Sequence, residues 1–268
     1  MTSDLEEPAS QRSRADAMLE TKGLTKKFGG FVAVDGVDLS IAQNELRSII
    51  GPNGAGKTTL FNMIAGVLKP TSGSIHLDGN DITTVTVEKR CQLGIGRSYQ
   101  SNELFLEQTV FENVRMAAQT AQLGTFSRKM FDRAAELARE RADEVLENVD
   151  LLDQRDTAAE NLSHGDQRRL GIGIAIATDP DVLLLDEPTS GMSPEATKHA
   201  TELIKMIQAE MDVTILLIEH DMSVVLEISD EISVLSNGSL IATNTPEKIR
   251  ENQAVQEAYL GGMREGEI

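Results

Sequence analysis

Residues 51–59 constrain the fold most strongly, because they match the phosphate-loop pattern G-x-x-x-x-G-K-S/T. A predicted strand over Leu46–Ile50 comes directly before them, and a helix is predicted after them. Phosphate oxygens need close backbone N–H groups, and glycine permits the dihedral angles that such an approach requires. The order of strand, loop and helix predicts a phosphate site made by Gly51, Pro52, Asn53, Gly54, Ala55, Gly56, Lys57, Thr58 and Thr59.

Two side chains of this loop suit a nucleotide. The Lys57 ammonium is predicted to contact the β and γ phosphates as a point charge, and the Thr58 hydroxyl is a predicted Mg²⁺ ligand. The helix that follows adds free N–H groups and the positive end of its dipole. A purely structural glycine-rich turn would need neither side chain at this spacing.

A second candidate site consists of two adjacent acids, Asp186 and Glu187, after a predicted buried strand over residues 182–185. In phosphate-loop proteins an Asp at this point holds Mg²⁺ directly or through water. Glu187 is then placed to polarise the attacking water as a general base. The long separation from Lys57 leaves room for an inserted helical lobe. Taken alone, the two acids could equally be a solvated strand end.

The composition excludes several other classes of protein. The 268 residues carry a formal net charge of −18, which argues against a nucleic-acid partner because phosphate backbones favour Lys and Arg. Cys91 is the only cysteine, so an internal disulfide and a thiolate zinc site are excluded. No apolar run approaches the roughly 18 residues that cross a bilayer. Residues 1–17 are predicted to be a disordered leader and not a secretory signal.

Apolar periodicity predicts further elements along the chain. Polar and apolar residues alternate from Leu19 to Ile41, with a turn predicted at Asp35-Gly36. The helix after the phosphate loop is predicted to end at Pro70 and Gly73, with one apolar face made by Leu60, Ile64, Val67 and Leu68. Other predictions are helices over residues 131–152 and Pro194–Met211, a strand over 213–218, and a hairpin around Asn237-Gly238.

The sequence Leu-Ser-His-Gly-Asp-Gln at residues 162–167 resembles the L-S-G-G-Q signature of the ATP-binding subunits of ABC transporters. The resemblance covers about residues 18–262 and leaves 263–268 as a tail. It implies an α/β fold of the P-loop NTPase type, with a mostly parallel sheet, an antiparallel β lobe near the N-terminus and a helical lobe around residues 101–165. The matching signature positions are Ser163, His164, Gly165, Asp166 and Gln167.

Two signature residues, His164 and Asp166, depart from the commonest form, and Asp166 adds a negative charge near the γ-phosphate of an opposing subunit. Ser163 and Asp166 also form a helix-capping pattern. Residues 171–177 alternate like a strand, and the resemblance alone implies a helix there. Ser193 stands where the family's D-loop usually has Asp.

Three further residues match family positions one at a time. Phe28 aligns with the aromatic residue that stacks on adenine, although a core phenylalanine is the alternative. Gln100 resembles the glutamine that contacts Mg²⁺ and faces the membrane partner. His220 resembles the histidine that contacts the γ-phosphate. The two histidines without such context, His76 and His199, are expected at the surface.

The resemblance implies an ATPase that uses ATP and Mg²⁺. Thr58, Gln100 and Asp186 would hold the metal, and Glu187, His220 and Gln100 would be catalytic. Two identical or paralogous subunits would dimerise head to tail, with each ATP between the phosphate loop of one and the signature of the other. The implied partners are transmembrane permease subunits at the cytoplasmic face of the cell membrane and, indirectly, a solute-binding protein.

Three segments resemble the ATPases of branched-chain amino-acid importers: residues 94–100, the insertion near 119–150, and residues 255–261. ATPases of urea and short-amide importers share much of this pattern. Three other classes of function remain open: a soluble phosphate-loop kinase or GTPase-like switch, a relative acting on ribosomes or chromosomes, and a pure binding module. A phosphorylated acceptor product would favour the kinase, and copurification with ribosomes would favour the relative that acts on ribosomes. A lack of Mg²⁺-dependent ATPase activity would favour the binding module.

The acid excess has two interpretations, an ordinary solvated surface or adaptation to high salt. Screening acts over about 3 Å at 1 M salt, so closely spaced carboxylates repel less there. Adaptation to high salt predicts a higher melting temperature in 2 M than in 0.1 M KCl. Equal melting temperatures would leave the ordinary surface as the explanation.

Overall fold

The computed structural model describes residues 17–98, 104–122 and 128–260, and within these ranges the chain forms ten strands and nine α-helices. The strands are β1 (Ala17–Phe28), β2 (Phe31–Ala42), β3 (Leu46–Ile50), β4 (Ser72–Leu77), β5 (Asn80–Asp81), β6 (Ile95–Arg97), β7 (Val182–Asp186), β8 (Thr214–Ile218), β9 (Glu231–Ser236) and β10 (Ser239–Asn244). The helices are α1 (Lys57–Ile64), α2 (Val87–Gln92), α3 (Val110–Gln122), α4 (Arg128–Asn148), α5 (His164–Ile176), α6 (Pro194–Met211), α7 (Met222–Ile228), α8 (Pro246–Arg250) and α9 (Gln253–Leu260). The predicted leader and tail lie outside the described residues, except that Ala17 begins β1.

The larger sheet has six strands in the order β10-β9-β3-β8-β7-β6, and β10 alone of these runs antiparallel to its neighbour. All residues of β3, β7 and β8 are buried, which explains the nearly unbroken apolar sequences of β7 and β8, whereas β3 also buries Arg47 and Ser48. The register pairs Ile218 with Ile49 on one side and with Asp186 on the other. The carboxyl ends of β3, β8 and β7 therefore lie along one edge of the sheet.

Each face of this sheet packs against a different core. Leu183, Leu185 and Leu217 face a core shared with helices α3 to α6, whereas Leu184 and Leu216 face a core shared with α1 and the smaller sheet. The alternation along a strand places neighbouring residues in opposite cores. The predicted α/β architecture is thereby confirmed.

The smaller sheet is antiparallel, with the order β2-β1-β4-β5. The prediction of a turn at Asp35-Gly36 was wrong, because both residues lie inside β2. The chain reverses instead at Gly29-Gly30, between β1 and β2. Asp35 and Gly36 form a bulge inside β2, because Leu24 pairs with Val37 while Lys26 pairs with Val34. A bulge and a turn use the same Asp-Gly chemistry, so the local pattern does not distinguish them.

The helix after the phosphate loop is shorter than predicted. It ends at Ile64, and Gly66 has a φ of 85°, a left-handed conformation that stops the helix. The prediction that Val67 lies on the buried face was wrong, since this residue is 54% exposed.

The helical lobe contains α3 and α4 together with two short 3₁₀ turns, Leu152–Gln154 and Ala159–Asn161. Helix α4 ends at Asn148 and not at the predicted residue 152, and Asp150 has a φ of 54°. Helix α5 runs through the strand-like alternation at 171–177 because residues there are buried on every side. The helix implied by the family resemblance is confirmed.

The α1 terminus is held by Arg90, a residue that the sequence analysis did not single out. The Arg90 side chain is 1% exposed, and its guanidinium donates to the carbonyl oxygens of Met63, Ile64, Ile82 and Thr83 at 2.5–3.1 Å. Two of these carbonyl groups, those of Met63 and Ile64, belong to the last turn of α1, where intrahelical donors run out. Burial lowers the pKa of Arg90, with Asp81 opposing this shift.

We expect Arg90→Ala to lower the free energy of unfolding by about 2–4 kcal/mol, because it removes a fully buried side chain together with its hydrogen bonds to backbone carbonyl groups. Urea unfolding monitored by circular dichroism measures this loss. Lys89→Ala is the matched control, because Lys89 is exposed on the same helix. A change below about 0.5 kcal/mol in Arg90→Ala would show that these bonds contribute little.

Candidate active site

The phosphate loop is fixed by two glycines that approach backbone from other elements. A Cβ atom on Gly51 would lie 2.0 Å from the Leu235 carbonyl oxygen, and one on Gly56 would lie 2.3 Å from the Ala33 carbonyl oxygen. Gly56 also has a φ of 102°, which other residues rarely adopt. Both glycines are therefore needed to seat the loop between β2 and β9.

The loop presents free hydrogen-bond donors at the start of α1. Among the described residues, no protein acceptor binds the N–H groups of Gly54, Gly56, Lys57 or Thr58, and no side chain caps the helix. The Lys57 ammonium donates to the carbonyl oxygens of Gly51 at 2.6 Å and Pro52 at 3.3 Å. The arrangement suits an anion with several oxygens.

The Lys57 ammonium is influenced both by its burial and by two acids, Glu187 and Asp186. Burial lowers the pKa of Lys57, while Glu187 and Asp186 act to raise it. The ammonium is thus held in a partly dehydrated position, where its attraction for an added anion is stronger than in bulk water.

Asp186 ends β7 and is only 9% exposed. Burial is the main reason that its pKa is raised, and Glu187 adds to this, whereas Arg97, His220 and Lys57 act to lower it. The nearest paired cation among the described residues is Arg97, whose Nη2 lies 3.6 Å from Oδ2 of Asp186. The carboxylate is therefore incompletely compensated, which fits a position that binds a cation.

Glu187 and His220 meet at the same edge, although they come from different strands. The Nε2 atom of His220 lies 2.7 Å from Oε1 of Glu187, and both side chains are partly exposed. The N–H of Glu187 donates to the Ile218 carbonyl oxygen at 2.8 Å, and Glu187 has a φ of 50°. A non-glycine residue in this conformation costs energy and persists only where its surroundings impose it.

The signature segment begins α5. The Ser163 hydroxyl accepts a hydrogen bond from the Asp166 N–H at 3.2 Å, so the predicted helix cap is confirmed. Burial alone would raise the pKa of Asp166, but hydrogen bonds from Arg169, Ser163 and Gln154 outweigh it and lower the pKa. Because Arg169 pairs with Asp166, the negative charge predicted here is locally compensated.

A cleft beside this helix start contains Ser163 but none of the phosphate-loop residues. Ser193 lies in it and caps α6 by accepting from the Ala196 N–H at 3.3 Å. His199, for which no role was predicted, is exposed and lines the same cleft. The complete lining is Ser163, Gly165, Asp166, Arg169, Ser193, Glu195, Ala196 and His199.

Other predicted residues lie apart from this cluster or outside the described ranges. Phe28 is 48% exposed at the tip of the smaller sheet, so the alternative of a core residue was wrong. The Lys26 ammonium lies 5.1 Å from the centre of the Phe28 ring. His76 is only partly exposed and not a freely exposed surface residue. Gln100 lies outside the described residues.

A further residue of this site, absent from the predictions above, is Glu219, which directly precedes His220. Its side chain is 2% exposed and accepts hydrogen bonds from backbone and side-chain donors. The signal was available, because an acid ending a buried strand had already drawn attention to Asp186. Arg97 was missed as well, since its partner Asp186 is distant in sequence.

The geometry defines a phosphate-loop NTPase. Its histidine follows β8, which adjoins the loop strand β3, and its two acids lie at the end of β7, the next strand in the sheet. The sequence profile of the ABC transporter family matches residues 34–190, and that of the branched-chain amino acid ATP-binding cassette transporter matches residues 239–264. The protein belongs to the ABC transporter family, as one of its ATP-hydrolysing subunits.

Curated relatives cover nearly the whole chain. It is 43% identical over 249 residues to the high-affinity branched-chain amino acid transport ATP-binding protein LivG of Escherichia coli strain K12, covering 91% of this chain and 98% of the relative. It is also 43% identical over 250 residues to the corresponding protein BraF of Pseudomonas aeruginosa, with the same coverage.

Solved structures of related cassettes have the same fold. The ADP conformation of MJ1267, an ATP-binding cassette of an ABC transporter, has a TM-score of 0.80 and 31% identity, and covers 91% of this chain and 99% of that chain. A dimeric post-hydrolysis state of the cassette MJ0796 bound to ADP and Pi has a TM-score of 0.74 and 28% identity, with coverage of 85% and 99%. In the part of the chain that the structure describes, no helix is long and apolar enough to span a bilayer.

We expect Lys57→Ala to weaken nucleotide binding by about tenfold to a hundredfold, the equivalent of one lost charged hydrogen bond. Calorimetric titration with Mg-ATP measures the Kd. Lys205→Ala serves as the control, because Lys205 pairs with Glu227 on the surface. An unchanged Kd in Lys57→Ala would contradict the role of this lysine.

Proposed function

We propose that the site residues act together on Mg-ATP and that hydrolysis powers amino-acid import. The observation that carries the proposal is the convergence at one sheet edge of the phosphate loop, Asp186, and the 2.7 Å contact between Glu187 and His220. These groups supply an anion cradle, a carboxylate for a metal ion, and a base beside a histidine.

The residues present fit both ATP and Mg²⁺. The free N–H groups of the loop and the Lys57 ammonium match triphosphate oxygens. Mg²⁺ commonly takes one or two protein ligands together with water and phosphate oxygens, and the buried Asp186 carboxylate, which within the described residues is paired only with Arg97, is such a ligand. Thr58 and Asp186 would hold Mg²⁺, together with Gln100.

The reaction is an in-line attack of water on the γ-phosphate. Bound Mg²⁺ would neutralise charge on the phosphate oxygens. Glu187 orients the water and accepts its proton, and Lys57 stabilises the charge that develops on the transferred group. His220 positions Glu187 through the Nε2–Oε1 contact and reaches the γ-phosphate. Phe28, exposed at the tip of the smaller sheet, stacks on adenine.

A second subunit completes each site. Ser163, His164, Gly165, Asp166 and Gln167 begin α5, and the adjacent cleft includes no phosphate-loop residue. A head-to-tail pair would bring this helix start, with its free N–H groups, onto the triphosphate of the partner. MJ0796 is described as dimeric, which supports such a pair. The partner is an identical or paralogous cassette.

The transported solute is proposed from the relatives. LivG and BraF are described as branched-chain amino acid transport proteins, and the C-terminal family match has the same description. We place the subunit at the cytoplasmic face of the membrane, where it contacts transmembrane permease subunits. A solute-binding protein delivers the solute to these permease subunits and is an indirect partner. Urea or a short amide is the alternative solute. A soluble kinase would leave the cleft at Ser163 without a role.

Glu187→Gln should lower ATP turnover by about 10²-fold or more, because it removes the general base, and should leave the Kd for ATP within about threefold of wild type. Phosphate release and calorimetric titration give the two values. Glu227→Gln, an exposed change of the same chemistry, should behave as wild type. Full ATPase activity in Glu187→Gln would refute the assignment.

A further inference from the structure

Glu219 is a buried carboxylate to which the mechanism above gives no role. Its Oε1 atom accepts from the Thr189 N–H at 2.9 Å and from the Thr189 hydroxyl at 2.5 Å. Its Oε2 atom accepts from the His220 N–H at 2.9 Å. The Glu219 side chain, at the end of β8, thus links the loop that follows β7 to the backbone of His220.

The environment of Glu219 is unusual for a buried acid. Within the described ranges no Lys, Arg or His side chain forms an ion pair with it, so three hydrogen-bond donors alone compensate the carboxylate. A neutral residue would avoid the cost of burying this charge. Accepting donors on both oxygens is a geometry that Glu provides and that Gln, with one oxygen and one NH₂ group, does not.

The two linked segments hold the reacting groups. Thr189 lies two residues after Glu187, and the same loop continues to Ser193 in the cleft beside Ser163. Glu187 is held in a left-handed conformation by its neighbours. Fixing Thr189 on one side and the His220 backbone on the other sets the separation of Glu187 and His220.

We infer that Glu219 is a positioning residue for ATP hydrolysis. It couples the loop at Thr189 to His220, so that the side chains of His220 and Glu187 stay in contact. The inference rests on the proposed function of those two residues. Loss of the carboxylate loosens the pair without touching the phosphate loop, so it slows the chemical step and leaves ATP binding intact.

Steady-state ATPase kinetics of the full chain test this with Glu219→Gln. We expect kcat to fall about tenfold, equivalent to about 1.4 kcal/mol, while KM for ATP stays within twofold. In a His220→Ala background, measured by single turnover with radiolabelled ATP, the same change should cost less than threefold, because its target is gone. Glu227→Gln is the matched control and should retain wild-type kcat.

A kcat within twofold of wild type, or an undiminished loss in the His220→Ala background, would overturn the inference. If Glu219→Gln does not fold, variants of Thr189 test the same link. Thr189→Val, which lacks the hydroxyl, should lower kcat about threefold, whereas Thr189→Ser should keep the wild-type value. Equal activity of the two variants would overturn the inference. Missing Mg²⁺-dependent ATPase activity in the wild type, or full activity in His220→Ala, would instead refute the proposed function.

Discussion

The parallel register of β3, β8 and β7 is the constraint on which the site depends. Ile218 pairs with Ile49 and with Asp186, so a shift of one residue in β8 would turn its buried side chains to the opposite faces and displace His220 from Glu187. The buried apolar residues that fill the two cores therefore also set catalytic distances. Packing and chemistry in this protein cannot be varied independently.

Local charge explains how an acidic protein attracts a triphosphate. The chain has a formal charge of −18, yet the Lys57 ammonium and the free N–H groups of the loop lie together at the start of α1. Distant surface acids are screened over about 8 Å at physiological salt, whereas donors in contact with phosphate are not. In the proposed function, the carboxylates of Asp186 and Glu187 lie close to the triphosphate and would repel it. This local repulsion is the reason to expect that ATP binds together with Mg²⁺.

The sequence predicted those features that depend on near neighbours. Contiguous apolar runs indicated β7 and β8, and the spacing of the phosphate loop indicated its donors. It failed where distant contacts decide: Asp35-Gly36 is a bulge because β1 continues beside it, and α1 stops where Arg90 binds its last carbonyl groups. The position of Glu219 after a buried strand is visible in the sequence, but its partner Thr189 lies 30 positions away, and no local pattern shows that contact.

The phosphate loop also joins the two sheets through backbone hydrogen bonds. The Gly238 N–H donates to the Ala55 carbonyl oxygen at 3.0 Å, and the Gly238 carbonyl oxygen accepts from the Asp35 N–H at 2.8 Å. The Asp35-Gly36 bulge in β2 directs that N–H towards the β9–β10 hairpin, and it thereby contributes to the contact between the two sheets. Through this short path the smaller sheet, with Phe28 at its tip, is anchored to the loop. In the proposed function, Phe28 stacks on adenine and the loop binds the phosphates, so one connected piece of backbone carries both contacts.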